Sequence, residues 1–119
     1  MKTLAQEVAA LQSTEFDSEE FDMACKAVWD AMTGEERESL DQMLFFGPIW
    51  DGNHISKMAR DGLIRAGLAV RCCMMGEQGF TAVTYLASTI YKRNNSDEVF
   101  KARRAAGRER AKQGRPHDL

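Results

Sequence analysis

Ser56, Lys57, Arg60 and Arg65 lie in one short segment whose apolar spacing predicts a helix over 53–66. Ile55, Met58, Ala59, Leu63 and Ala66 form its inner stripe, which puts Ser56, Lys57, Arg60, Asp61, Ile64 and Arg65 on the outer face. Hydroxyl, ammonium and guanidinium groups on one helix face can reach phosphates and guanine edges in a DNA major groove. Arg71 follows in a segment that reads as a strand, where it would add a positive charge beside that helix. Asp61 in the middle of the face would be repelled by phosphate. Lys57–Asp61 and Asp61–Arg65, each at i,i+4, suit an ordinary solvated helix face equally well.

A second basic feature is the tail from 101 to 115, with seven Lys/Arg, among them Arg103, Arg104 and Arg108, against Glu109 alone. Such a run gives salt-sensitive, sequence-independent affinity for nucleic acid. No aromatic residue follows Phe100, so base stacking on a single strand has no support. The same run would also dock on acidic helices within 15–41. The formal net charge of −2 hides a split: residues 1–60 hold 12 Asp/Glu against 5 Lys/Arg, and residues 61–119 hold 6 against 11. The acidic stretch around Glu19, Glu20 and Asp22 could imitate a phosphate row for a basic partner, or serve as helix caps and dipole partners. Trp50, next to Phe45 and Phe46, could anchor a protein partner or belong to the core.

Catalysis finds no such constellation. His54 and His117 are the only histidines, and neither has a nucleophile at a recognisable spacing. Cys72 and Cys73 would point to opposite faces of a strand, and three cysteines form neither a disulfide framework nor a zinc spacing. Gly76 and Gly79 lead into another strand, where no helix N-terminus can hold a phosphate. The expectation is a protein that is not an enzyme and uses no cofactor or metal. Apolar content of 44% and charged content of 29% fit an ordinary soluble domain. No apolar run approaches the roughly 18–20 residues of a membrane span. A charge at Lys2, ahead of any apolar run, argues against a secretory signal, so a reducing cytoplasm is the expected compartment.

The elements that must position these residues follow from capping and periodicity. Thr3 and Gln6 have capping-box spacing ahead of Leu4, Val8 and Leu11. Asp17 and Glu20 repeat it before a stripe through Phe21, Cys25, Val28 and Met32, which predicts a helix over 18–32. Thr33 and Glu36 open a third helix over 34–46, stopped by Gly47-Pro48. Asp51-Gly52 reads as a turn and Asn53 as the cap of helix 53–66, which closes at Gly67. A hairpin follows over 68–83 with Gly76-Glu77-Gln78-Gly79 as its tip. Thr84 caps a further helix, Asn94-Asn95-Ser96 breaks it, and Asp97-Glu98 open a last helical stretch.

Gly47-Pro48-Ile49-Trp50-Asp51-Gly52, Ser56-Lys57, Arg60-Asp61, Gly67-Leu68-Ala69-Val70-Arg71, Gly76-Glu77-Gln78-Gly79 and Thr81-Ala82-Val83-Thr84-Tyr85 together resemble a family of short phage and prophage proteins with no assigned function. Asn53 stands where that family would have a second Asp, and Ala87 where a Gly is usual. The resemblance implies phage origin and a place in the host cytoplasm.

Helix, helix and hairpin in that order predict a mainly α fold with one small antiparallel β-hairpin, a winged helix-turn-helix with extra helices at both ends. The chain divides into an acidic helical extension at 1–33, a winged helix-turn-helix core at 34–93 and a basic helix or tail at 94–119. The first functional expectation is a small DNA-binding regulatory protein that grips double-stranded DNA through Ser56, Lys57, Arg60, Arg65, Arg71 and the tail arginines, with a homodimer the usual arrangement. The alternative is a factor that binds a host defence or transcription protein through Glu19, Glu20, Asp22 or Trp50, the winged helix serving as scaffold.

Overall fold

A computed structural model describes residues 2–112, with side chains to residue 109. Arg110 and Lys112 of the predicted basic tail are therefore described only as helical backbone, and Arg115 and His117 lie outside the described residues. The element order is α1 (Leu4–Gln12), α2 (Glu19–Ala31), α3 (Gly34–Phe46), β1 (Ile49–Trp50), a 3-10 turn (Asp51–Asn53), α4 (Lys57–Arg65), β2 (Ala69–Met74), β3 (Glu77–Val83), α5 (Tyr85–Asn94) and α6 (Asp97–Lys112). The fold is mainly helical with a small antiparallel sheet, in a winged-helix-like arrangement.

Local chemistry sets most of the boundaries. Thr3 and Thr33 each close a reciprocal capping box, with Gln6 and Glu36 respectively. Ser18, rather than the expected Asp17, caps α2 by accepting from the Phe21 amide, and Asp17 takes a left-handed φ of 67°. Ser56, rather than Asn53, caps α4 by accepting from the Ala59 amide. The cap moves because 51–53 are taken up by the 3-10 turn, which leaves α4 shorter than predicted. Its C-terminus is a Schellman motif: Leu68 N–H donates to Leu63 O at 2.9 Å, Gly67 N–H donates to Ile64 O at 3.0 Å, and Gly67 has φ +84°.

The sheet differs from the expected two-stranded ribbon. Ile49 and Trp50 pair with Thr81 and Phe80, giving three strands in the order β1-β3-β2. Two residues are too few to show the alternation that marks a strand in sequence. The wing also turns earlier than expected. Met74 already opposes Glu77, so Met75 (φ 52°) and Gly76 (φ 81°) are the two central residues of a tight hairpin turn. Gly79, at φ +95°, lies in the register shift that separates the Cys72–Phe80 and Met74–Glu77 pairs.

One apolar core runs through the N-terminal extension and the central segment, with half-buried Phe100 of α6 packed against it. It joins Val8 and Leu11 of α1, Phe21, Cys25 and Val28 of α2, Leu40 and Met43 of α3, Leu63 of α4, Leu68, and Ile90 and Tyr91 of α5. Tyr91 also makes edge contacts with Trp29 (5.7 Å), Phe45 (5.4 Å) and Phe100 (6.2 Å), tying α2, α3, α5 and α6 together. Its hydroxyl donates to Asp41 Oδ2 at 3.1 Å. Burial, and then the Asp41 charge, push the Tyr91 phenol up to about 12. α6 comes closest to α3 at Gly107, where an added Cβ would stand 2.3 Å from Phe45 O.

Two outcomes follow. Gly107→Ala gains roughly 1 kcal/mol of helix propensity but forces a backbone clash, and overpacking costs about 1–3 kcal/mol. Hydrogen exchange is therefore expected to show α6 amides losing protection while α1–α5 keep theirs. The folded-state pKa of Tyr91 exceeds its unfolded value, so its contribution is complete below about pH 10 and is lost as pH rises toward its folded value. Alkaline unfolding of Tyr91→Phe, followed by circular dichroism, should lack that part of the transition.

Candidate nucleic-acid interface

The structure separates the predicted cations into held and open groups. Arg60, expected on the outer face of its helix, is 8% exposed. Its Nη1 donates to Asp51 Oδ1 at 3.0 Å, and its Nε and Nη2 both reach Asp61 Oδ1 at 2.9 Å. Arg71 closes a bidentate pair on the same Asp51, Nη1 to Oδ1 at 2.9 Å and Nη2 to Oδ2 at 2.8 Å. Asp61 thus pairs with its neighbour Arg60, and the i,i+4 pairs with Lys57 and Arg65 do not form. One carboxylate joins the turn after β1, helix α4 and strand β2.

The inner face of α4 is also corrected. Ala59, Leu63 and Ala66 are buried as expected, but Ile55 is 56% and Met58 80% exposed. The buried stripe of α4 is Ala59, Arg60 and Leu63, so Arg60 faces inward where Met58 was expected. Lys57 and Arg65 stay exposed on the outer face. The Ser56 hydroxyl, which caps α4, also donates to Glu35 Oε2 at 3.2 Å. A Cβ on Gly62 would meet Glu36 Oε2 at 2.7 Å, so the N-terminal end of α3 lays two carboxylates along this helix.

Three residues that fix this corner had no role in the sequence reading. Gln42, buried on α3, donates from Nε2 to Asn53 O at 2.7 Å and accepts from Ile55 N–H at 3.2 Å through Oε1. It clamps both ends of the loop leading into α4. Asp51 was read only as a turn residue. His54 was weighed as a nucleophile's base. Instead its Nε2 lies 3.1 Å from Ile49 O, its Nδ1 is buried without a hydrogen-bond partner, and burial, then the Arg60 charge, hold its pKa below the usual histidine range. The Arg71 hydrogen bonds, ahead of the other charges, hold Asp51 below the usual carboxylate range. Nothing in the local sequence marks Gln42, whereas Asp51, Arg60 and Arg71 stand out only as charges of opposite sign.

Of the alternative protein-binding residues, Asp22 is held by Arg93 of α5, which also pairs with Asp17. Glu19 and Glu20 are exposed in the first turn of α2. The Trp50 ring lies over Gly52, where a Cβ would be 2.0 Å away, and it also approaches Gly79. Trp50 is 38% exposed, one side of its ring laid on the 3-10 turn and β3. Cys72 is half-buried, Cys73 exposed and Cys25 buried, all as free thiols. Among the described residues no group of His, Cys, Asp or Glu could hold a metal ion, and no helix is long and apolar enough to cross a membrane.

Tail residues 101–112 lie on α6. Arg103 lies 3.7 Å from Asp41 on α3, so the basic helix meets an acidic one there. Arg104 and Arg108, on the same side of α6 as Phe100, line a groove of about 370 Å³ with Ser88 and Lys92 of α5. Among the described residues none of Lys92, Arg104 and Arg108 has a carboxylate partner. No family model, curated protein or solved structure gives a significant match to this chain.

Removing the shared carboxylate should be felt throughout this corner. Asp51→Ala leaves buried Arg60 with Asp61 alone and frees Arg71, and an unsatisfied buried polar group costs roughly 1–3 kcal/mol. Urea unfolding should show that loss with an unchanged m-value. Both Asp51 and His54 have folded-state pKa values below their unfolded ones, so both contributions are present at neutral pH and fall away on acidification. Stability should decline first below about pH 6.5 through His54 and again below about pH 3.9 through Asp51. Urea midpoints measured across pH for the native chain and for Asp51→Ala will separate the two steps.

Proposed function

We propose that this chain is a small DNA-binding regulatory protein that holds duplex DNA chiefly by its backbone phosphates. The observation that carries this reading is where open positive charge remains. Lys92, Lys101, Arg104 and Arg108 are exposed on α5 and α6, and among the described residues none has a carboxylate partner. Lys57 and Arg65 add positive charge on α4, flanking Asp61. Arg60 and Arg71, being satisfied by Asp51 and Asp61, act in this reading as structural groups that brace the helix and the wing. Base reading then falls to Lys57 and Arg65, since the Ser56 hydroxyl is taken up by the Ala59 amide and Glu35; so small a set is the reason to include a homodimer in the proposal. The phage-like residue pattern extends the reading to a phage-derived protein at work in a host cytoplasm.

A second reading rests on a different observation. Ile55, Met58 and, at the wing tip, Met75 (85% exposed) are apolar groups on surfaces that a DNA reader would turn toward phosphate. That composition suits a protein partner, with exposed Glu19 and Glu20 available to a basic one.

Fluorescence anisotropy against a generic labelled duplex, at low and near-physiological salt, tests the choice. Binding should weaken steeply with salt, and Lys101→Ala should lower the logarithmic slope by about 0.9 for the lost phosphate contact, whereas Lys57→Ala with Arg65→Ala should relax discrimination between sequences. Arg60→Ala should change stability more than affinity. Absence of binding at low salt would sink the DNA reading and leave the protein partner.

A further inference from the structure

We propose that the groove between α5 and α6 is a phosphate-binding site, formed by Lys92, Arg104 and Arg108 with the Ser88 hydroxyl. The inference deepens the DNA reading above, on which its choice of the DNA backbone as natural ligand rests, but the site is defined by its own geometry.

Ser88 and Lys92 are one helical turn apart on α5, and Phe100, Arg104 and Arg108 are successive turns on one face of α6. The two ridges border a single groove of about 370 Å³, with Leu44 and Phe45 of α3 in its lining. Three cations and a hydroxyl therefore border it, and among the described residues its lining contains no carboxylate. Arg37, Arg60, Arg71, Arg93 and Arg103 each lie within 4.0 Å of an aspartate, whereas among the described residues the groove's two arginines, like Arg65 on α4, do not.

The groove is held in shape from below. Phe100 packs on Phe45 at 5.3 Å, and the Lys92 ammonium sits 5.1 Å from the Phe100 ring centroid. Gly107 lets α6 approach the Phe45 backbone closely enough to keep Arg104 and Arg108 opposite Lys92. Two guanidinium groups offer forked donors to oxyanion oxygens, while the ammonium adds a compact charge from the other wall. Tetrahedral phosphate, with oxygens facing both walls, matches that set of donors. An open groove between helices also lets a continuous backbone pass through.

The test uses the full chain and two probes. Inorganic pyrophosphate, titrated against chloride at matched ionic strength and followed by amide NMR shifts, reports on the groove itself. A labelled duplex, followed by anisotropy across salt, reports on its use for DNA. Lys92→Gln, Arg104→Gln and Arg108→Gln change exposed side chains, and unchanged thermal melts will verify that each variant folds.

The expected result is pyrophosphate shifts confined to residues around 88–92 and 100–108, abolished in the triple variant. The duplex salt slope should fall by about 0.9 per removed contact. Pyrophosphate shifts in the groove without duplex binding would uphold the site and overturn DNA as its ligand. Duplex binding that the triple variant leaves unchanged, or pyrophosphate shifts scattered over the surface, would overturn the groove.

Discussion

The Asp51 carboxylate is the constraint on which the wing side of the molecule depends. It accepts from both Arg60 and Arg71, so the turn after β1, the middle of α4 and strand β2 share one anion. Arg60 can be buried only because Asp51 and Asp61 together satisfy its guanidinium; alone it would carry the desolvation cost of an unpaired charge. Gln42 supports the same corner from α3 by holding Asn53 and Ile55. The wing is therefore braced against the helix by charge-assisted hydrogen bonds as well as by the sheet.

That arrangement redistributes the positive charge available to a ligand. Buried Arg60 and exposed Arg71 each face a carboxylate at hydrogen-bond distance. At the other end of the chain the opposite happens. α6 is positioned by aromatic packing and a glycine contact, interactions that leave Arg104 and Arg108 without a carboxylate partner among the described residues. In the acidic N-terminal region Arg93 pairs with Asp17 and Asp22, and among the described residues no carboxylate of that region pairs with Lys92, Arg104 or Arg108.

The helices were readable in the sequence because their signals are local. A Thr or Ser hydroxyl reaches an amide three residues on, and apolar residues at i, i+3 and i+4 share a face whatever surrounds them. The capping boxes at Thr3 and Thr33, the stop at Gly47-Pro48, the Gly67 terminus and the Thr84 cap all belong to this class. The errors lie where a local signal had a close competitor. Asp17 and Ser18 both suit a cap, as do Asn53 and Ser56, and the second of each pair took the role.

By itself, then, the sequence determined the helical order, the hairpin, the main apolar stripes and the opposite charges of the chain's two halves. Tertiary structure alone decided which charges meet. The side chains of Asp51 and Arg71 are 20 residues apart, and those of Asp17 and Arg93 are 76 apart, and neither separation leaves a periodic trace. The added strand at Ile49–Trp50 exists only because β3 offers free backbone groups beside it. Which cations remain open to a ligand is the residue of those long-range pairings, since burial and opposite charge are properties of neighbours in space rather than along the chain.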